Sequence, residues 1–180
     1  YFPKSDVDDI VTEIREILEG RKMLTMGEHV RAFENEFSRY SSVRYSVATN
    51  SCTSALELSL FTLNLSANDE VIVPVQTFIA TGSCVLKSGA KIVFCDVDDD
   101  FLLDFEFMKN LVNENTKAVI VVHFAGMISK DIIKISSYLK NRNIALIEDS
   151  AHAHGAMFGK LKAGSIGDFG CFSFFSTKII

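Results

Sequence analysis

Apolar residues recur along the chain with two different periods, and the change of period divides it. Val7, Ile10, Val11, Ile14, Ile17 and Leu18 follow the spacing of one helix face until Gly20 interrupts the run. Ser5 followed by Asp8 resembles a capping box at the start of that helix. A second amphipathic helix is expected after Gly27, with Val30, Phe33, Phe37 and Tyr40 on one face and charges on the others. Beyond it the pattern becomes short apolar runs of strand length at 45–48, 71–73, 92–95, 118–123, 144–147 and 169–174. Stretches of helical period, such as 54–63, 105–112 and 132–139, lie between them.

Runs that are apolar at nearly every position suit strands covered on both faces. Alternation with helices therefore predicts an α/β fold, a mostly parallel sheet with helices on both faces. No repeat, low-complexity tract or linker rich in Pro, Gly or Ser marks a boundary, so one domain is expected. Ile180 directly follows a strand and a turn, which reads as a domain interrupted before its end.

Composition narrows the partners. The chain has 180 residues, 48% of them hydrophobic, enough for a sizeable core. Its 18 basic and 23 acidic residues are dispersed and sum to −5, which offers nothing to nucleic acid or an anionic membrane and points to a small-molecule partner. No apolar run approaches the roughly 20 residues needed to span a bilayer. The start, Tyr1-Phe2-Pro3-Lys4, lacks the regions of a signal peptide and, without Met, is not expected to be a native terminus. Cys52, Cys84, Cys95 and Cys171 show no C-x-x-C pairing, so neither a metal site nor a disulfide framework is expected, and a cytoplasmic setting is.

Ligands of open α/β sheets collect beyond the carboxyl ends of the strands, and four segments there carry candidate chemistry. Asn50-Ser51-Cys52-Thr53-Ser54 offers backbone N–H groups, hydroxyls and a helix N-terminus to a phosphate, although an ordinary N-cap would look the same. Pro74-Val75-Gln76-Thr77-Phe78 presents a ring able to lie on a planar ligand, against the alternative of a core Phe in a chain with fifteen. Glu148-Asp149-Ser150-Ala151-His152-Ala153-His154-Gly155 delivers two carboxylates and two histidines into a loop; the histidines lack the i, i+4 pairing and matching cysteines of a zinc site. Asp168 to Lys178 ends in hydroxyls and a lysine, which is either a solvated residue or, if desolvated, a nucleophile able to form a Schiff base.

Taken in order and spacing, these segments resemble the DegT/DnrJ/EryC1/StrS family of sugar-nucleotide aminotransferases, fold-type-I enzymes that use pyridoxal phosphate. The resemblance runs nearly end to end, through Gly27 with Phe33-Glu34, 51–56, Pro74 with Thr77-Phe78, Asp96-Val97-Asp98, Thr116-Lys117-Ala118, His123 with Gly126, 148–156, Gly164 with Gly167-Asp168, and Phe172-Ser173-Phe174 with Lys178. It implies that Lys178 is the catalytic lysine, forming a Schiff base with the cofactor and then carrying the substrate proton. It implies further that Asp149 faces the pyridine nitrogen, His152 lies near the ring oxygen, Phe78 stacks on the ring, and Thr53, Ser54 and Ser173 hold the phosphate. No metal is implied. The substrates would be an amino donor, glutamate, and a nucleotide-linked keto-sugar destined for cell-surface polysaccharide or amino sugars, and the assembly a homodimer.

Two departures stand out. Cys52 occupies a position where the family commonly has Gly. The chain is also about half the family's length, so 1–180 would be an incomplete large domain, with the small C-terminal domain absent. Relatives that dehydrate the sugar replace the lysine, usually by His, so Lys178 favours transfer over dehydration. A truncated, inactive fragment is the reading from another class, and a nicotinamide-binding domain fails for want of G-x-G-x-x-G after the first strand.

Overall fold

A computed structural model describes residues 2–178; Tyr1, Ile179 and Ile180 lie outside them. The chain separates into two units, 1–48 and 49–180, at a place that no linker signal marks.

The first unit carries α1 (Lys4–Leu18) and α2 (Glu28–Ser41). The capping box expected at Ser5 does not form: Pro3 is the N-cap and offers no side-chain oxygen, while the Ser5 hydroxyl donates to Asp6 Oδ1 at 3.0 Å. Proline suits this place because a helix start has no partner for its N–H. Gly27 caps α2, as the sequence suggests. Residues 45–48 are not a strand. This irregular segment has no strand neighbour among the described residues, leaves Tyr45 and Val47 about three-quarters exposed, and is tied to α2 through Ala48 N–H donating to Glu34 Oε1 at 2.8 Å.

The second unit begins with α3 (Cys52–Phe61), followed by β1 (Glu70–Pro74), α4 (Ile79–Lys87), β2 (Lys91–Cys95), α5 (Phe105–Leu111) and β3 (Thr116–Val122). Then come α6 (Ile132–Lys140), β4 (Ala145–Asp149), a small antiparallel hairpin of β5 (Met157–Phe158) and β6 (Leu161–Lys162), and β7 (Phe169–Cys171). Five strands form one parallel sheet in the order β2-β1-β3-β4-β7. The run at 169–174 is strand only to Cys171, because β7 finds its pairing partner only along Ile147–Asp149 of β4.

Side-chain alternation sorts the strands' apolar residues onto two faces. Val71, Val73, Ala118, Ile120 and Ile147 pack with Leu56 and Leu60 of α3 and Cys84 and Val85 of α4. Ile72, Val119, Val121 and Leu146 pack with Met108 of α5 and Ile132, Ile135 and Leu139 of α6. The expected α/β architecture, helices on both faces of a parallel sheet, is therefore present. Its order reverses about β1, where the connection from β1 leads outward to β2 and the next returns to β3, a switch point beyond whose carboxyl strand ends ligands of open α/β sheets collect.

Candidate active site

β4 brings two adjacent carboxylates to its carboxyl end, and the strand's alternation sends them to opposite faces. Asp149 points to the α3/α4 face. It is 7% exposed and accepts the Thr81 hydroxyl on Oδ2 at 2.9 Å and the Ala151 N–H on Oδ1 at 3.2 Å, with the Cys52 thiol 4.0 Å from Oδ1. Thr81 and Thr77 hydroxyls lie 2.6 Å apart. Each hydroxyl has one proton, so when Thr81 donates to Asp149 it accepts from Thr77. Burial pushes the Asp149 carboxyl above its usual range, despite the opposing bonds from Ala151 and Thr81. Among the described residues it forms no ion pair, although the His152 and His123 charges lie near enough to oppose the shift weakly.

Glu148 points to the α5/α6 face and is fully buried, but its environment is the reverse. It contacts His123 Nε2 at 2.8 Å and accepts the N–H groups of Gly164, Ile166 and Gly167 at 2.8, 2.7 and 2.6 Å. Burial opposes its charge, yet the His123 bond and the backbone donors together win and hold its carboxyl below the usual range.

α3 starts beside Asp149. Ser51 is its N-cap: the hydroxyl accepts the Ser54 N–H at 3.1 Å and approaches the Ser54 hydroxyl at 3.2 Å. Ser54 is thus engaged in the cap, whereas the N–H of Thr53, half-buried, has no acceptor among the described residues. Phe78 is the N-cap residue of α4, one turn before Thr81, with its ring 74% exposed. His152 is exposed and its ring tilts toward Phe124, centroids 6.5 Å apart.

His154 lies between the rings of Phe172 and Phe174, at 5.3 and 5.2 Å, and both its ring nitrogens are buried without a hydrogen-bond partner. Burial first, and then the nearby Lys178 and His152 charges, lower its pKa. The Ser173 hydroxyl accepts the Phe175 N–H at 3.4 Å, and Lys178 donates its own N–H to Phe175 O at 2.8 Å. Lys178 is half-buried, and its ammonium is near enough to favour the Cys52 thiolate and disfavour a charged His154. Cys52 thus lies 4.0 Å from Asp149 and within reach of the Lys178 charge.

Of the residues singled out in the sequence, Asp149, Cys52, Thr53 and Lys178 gather at one end of the sheet. Phe78 borders them through α4, while the Ser54 amide and the Ser173 hydroxyl are spent on local turns. Sequence reasoning missed Thr81 and the Glu148–His123 pair. Thr81 had a signal, since it follows Phe78 by one helical turn; the Glu148–His123 contact had none, because its members lie twenty-five positions apart in the chain.

The sequence model of one family matches residues 4–180. The chain belongs to the DegT/DnrJ/EryC1/StrS aminotransferase family. Among its relatives, the UDP-N-acetyl-3-dehydro-alpha-D-glucosamine 3-aminotransferase of Acidithiobacillus ferrooxidans is 41% identical over 172 residues, which cover 95% of this chain and 46% of that protein. The solved aminotransferase of Psychrobacter cryohalolentis superposes with a TM-score of 0.91 at 35% identity, over 100% of this chain and 45% of that one. A third match is the Escherichia coli GDP-4-keto-6-deoxy-D-mannose-3-dehydratase with bound hydrated PLP, with a TM-score of 0.78 at 29% identity, over 87% of this chain and 42% of that one. The chain thus spans less than half the length of these relatives.

Proposed function

We propose that the protein binds pyridoxal phosphate and transfers an amino group, from glutamate, to a nucleotide-linked keto-sugar. The observation that carries this reading is Asp149, a buried carboxylate with no ion-pair partner among the described residues, on the sheet end where a helix N-terminus and Lys178 also meet. A cationic ring nitrogen at Asp149 would relieve the burial that now raises its pKa, so the residues present fit this cofactor. When bound, the cofactor supplies an electron sink for a carbanion at the carbon that gains or loses the amino group.

The chain's own residues would divide the remaining work. Asp149, steadied by Thr81 and Ala151, keeps a negative charge against the ring nitrogen. Thr53, at the open N-terminus of α3, offers its amide to the phosphate, with Ser54 and Ser173 beside it contributing hydroxyls if their present turn bonds are exchanged. Phe78, exposed at the start of α4, would cover the ring, and His152 would border the ring oxygen. Lys178 would hold the cofactor through its amine and, when free, would carry the proton to and from the reacting carbon.

The sugar-nucleotide assignment is supported by the 41% identical relative, whose name places it on a UDP-linked keto-sugar. Dehydration is the second reading, supported by the match to the E. coli dehydratase; Lys178, where dehydrating relatives usually carry His, favours transfer. On the same resemblance we place the protein in the cytoplasm as a homodimer serving amino-sugar or surface-polysaccharide synthesis. Among the described residues no helix is long and apolar enough to cross a membrane.

The test is the absorbance spectrum of the purified full-length protein with pyridoxal phosphate. The expected result is a visible band that Lys178→Ala abolishes, with borohydride fixing the cofactor to Lys178. A folded protein without that band would refute the cofactor reading, and a band without amino transfer from glutamate to keto-sugar nucleotides would refute the reaction.

A further inference from the structure

Three segments must keep register for the proposed site to exist: the end of β4, which carries Asp149; the exit of β3 at His123; and the loop 164–167, which leads into β7 and on to Ser173 and Lys178. One side chain touches all three. Glu148 lies in β4 itself, meets the His123 ring, and accepts three N–H groups from the loop. His123 closes the arrangement from the other side, because its own N–H donates to the Asp149 carbonyl at 3.0 Å.

The loop is packed too tightly to settle in several ways. A Cβ on Gly167 would come within 2.5 Å of Leu146 O, and one on Gly170 within 2.2 Å of Gly164 O. One on Gly164 would lie 2.4 Å from the Phe172 ring, the ring that flanks His154. The glycines let the backbone close round the Glu148 carboxylate, and that closure sets where Phe172 and the following residues begin.

A fully buried carboxylate is costly unless every lone pair is used, and here the donors come from the two segments that flank β4, the exit of β3 and the loop leading into β7, adding a side-chain tie to the strand pairing. We propose that Glu148, together with His123, is a positioning residue: it fixes the Asp149 carboxylate and the segment bearing Ser173 and Lys178 relative to one another, without itself touching the cofactor. Its carboxylate points to the α5/α6 side of the sheet while that of Asp149 points to the α3/α4 side, so the effect passes through the shared backbone and His123.

This inference rests on the cofactor assignment above. Its test compares the full-length wild type with Glu148→Gln, His123→Gln and Ile135→Val, the last a buried α6 residue chosen as a core control with comparable loss of melting temperature. Glu148→Gln is expected to weaken pyridoxal phosphate binding about tenfold or more, the equivalent of one lost bond to a charged group. It should also shift the pH midpoint of the visible band and lower kcat with KM for the sugar substrate unchanged. His123→Gln, which keeps a donor toward Glu148, should move the same readouts less, and Ile135→Val should leave them unmoved. If both polar variants bind cofactor as tightly as Ile135→Val, or neither folds before cofactor is added, the role is structural and the proposal fails. If the wild type shows no Lys178-dependent band, the parent reading falls and takes this one with it; a normal wild type with unaltered variants sinks this inference alone.

Discussion

Replacing Asp149 by Asn separates stability from function in a way whose sign follows from burial. The Asp149 carboxyl in the cofactor-free protein titrates above its ordinary 3.8, chiefly because burial penalises the charge. The folded state therefore holds a proton that the unfolded chain has already released, and wild-type stability falls as pH rises from 3.8 to the folded value, by up to about 1.4 kcal/mol per pH unit. The substituted amide has nothing to titrate, so stability of Asp149→Asn relative to wild type must climb over that window and level off above it. A constant offset opposes the gain. Asn has one acceptor oxygen where the carboxylate has two, so either the Thr81 hydroxyl or the Ala151 N–H meets an amide NH2, a mismatch on the order of 1 kcal/mol at every pH. Urea unfolding of both cofactor-free proteins from about pH 4 to about pH 8, followed by circular dichroism, isolates the slope from the offset. Glu148 is common to both proteins and cancels. The same variant should lose cofactor affinity, because the charge it removes is the one a cationic ring nitrogen needs. A stability difference that is flat across the range, or falls with pH, would refute the claim that Asp149 is a desolvated carboxylate waiting for a cation.

Other outcomes follow from the same geometry. Glu148 titrates below its ordinary 4.5, so its contribution is complete above that value and is lost as pH falls beneath it; Glu148→Gln should flatten the acid limb of the stability profile, measured by the same unfolding assay. Gly170→Ala would place a Cβ 2.2 Å from Gly164 O, a backbone atom that cannot swing aside, and should cost about 3 kcal/mol or more in urea unfolding. Gly89→Ala, at φ +86 with nothing within 4 Å, should cost only about 1–2 kcal/mol of backbone strain, so equal losses at the two sites would refute the steric reading. Burial pushes the thiols of Cys84, Cys95 and Cys171 up to about 12 and that of Cys52 up as well. A disulfide reagent should accordingly find almost no reactive thiol in the native chain and all four after denaturation; rapid native labelling would contradict the burial.

Much of the fold is legible where one physical signal acts alone. The runs at 71–73, 118–123 and 144–147 form strands because a sequence apolar on both parities can be buried only between two layers, whereas 92–95 forms the edge strand β2 and leaves Phe94 58% exposed. The run at 45–48 has a similar composition and is no strand, since strand formation needs a hydrogen-bonding neighbour and Tyr45 and Val47 have none among the described residues. α4 is the least legible element. Its segment Ile79-Ala80-Thr81-Gly82-Ser83-Cys84 is poor in helix formers, and the helix exists because Ala80, Thr81, Cys84 and Val85 are buried against the sheet. At the site, the family motif pointed to Asp149 and Lys178, but not to Thr81, whose hydroxyl steadies Asp149, nor to the use of Ser54 in a cap.

By itself the sequence determined the layered class, the helix and strand periods and the residue types at the strand ends, because these depend on neighbours within a few positions of the chain. Tertiary structure alone decided which of two adjacent carboxyls has its pKa lowered and which has it raised. Glu148 and Asp149 are consecutive in one strand, yet one is surrounded by His123 and three backbone amides and the other by two donors and a thiol. Strand alternation turns them to opposite faces, and the elements packed on each face, drawn from distant parts of the chain, supply the donors that set their opposite titration.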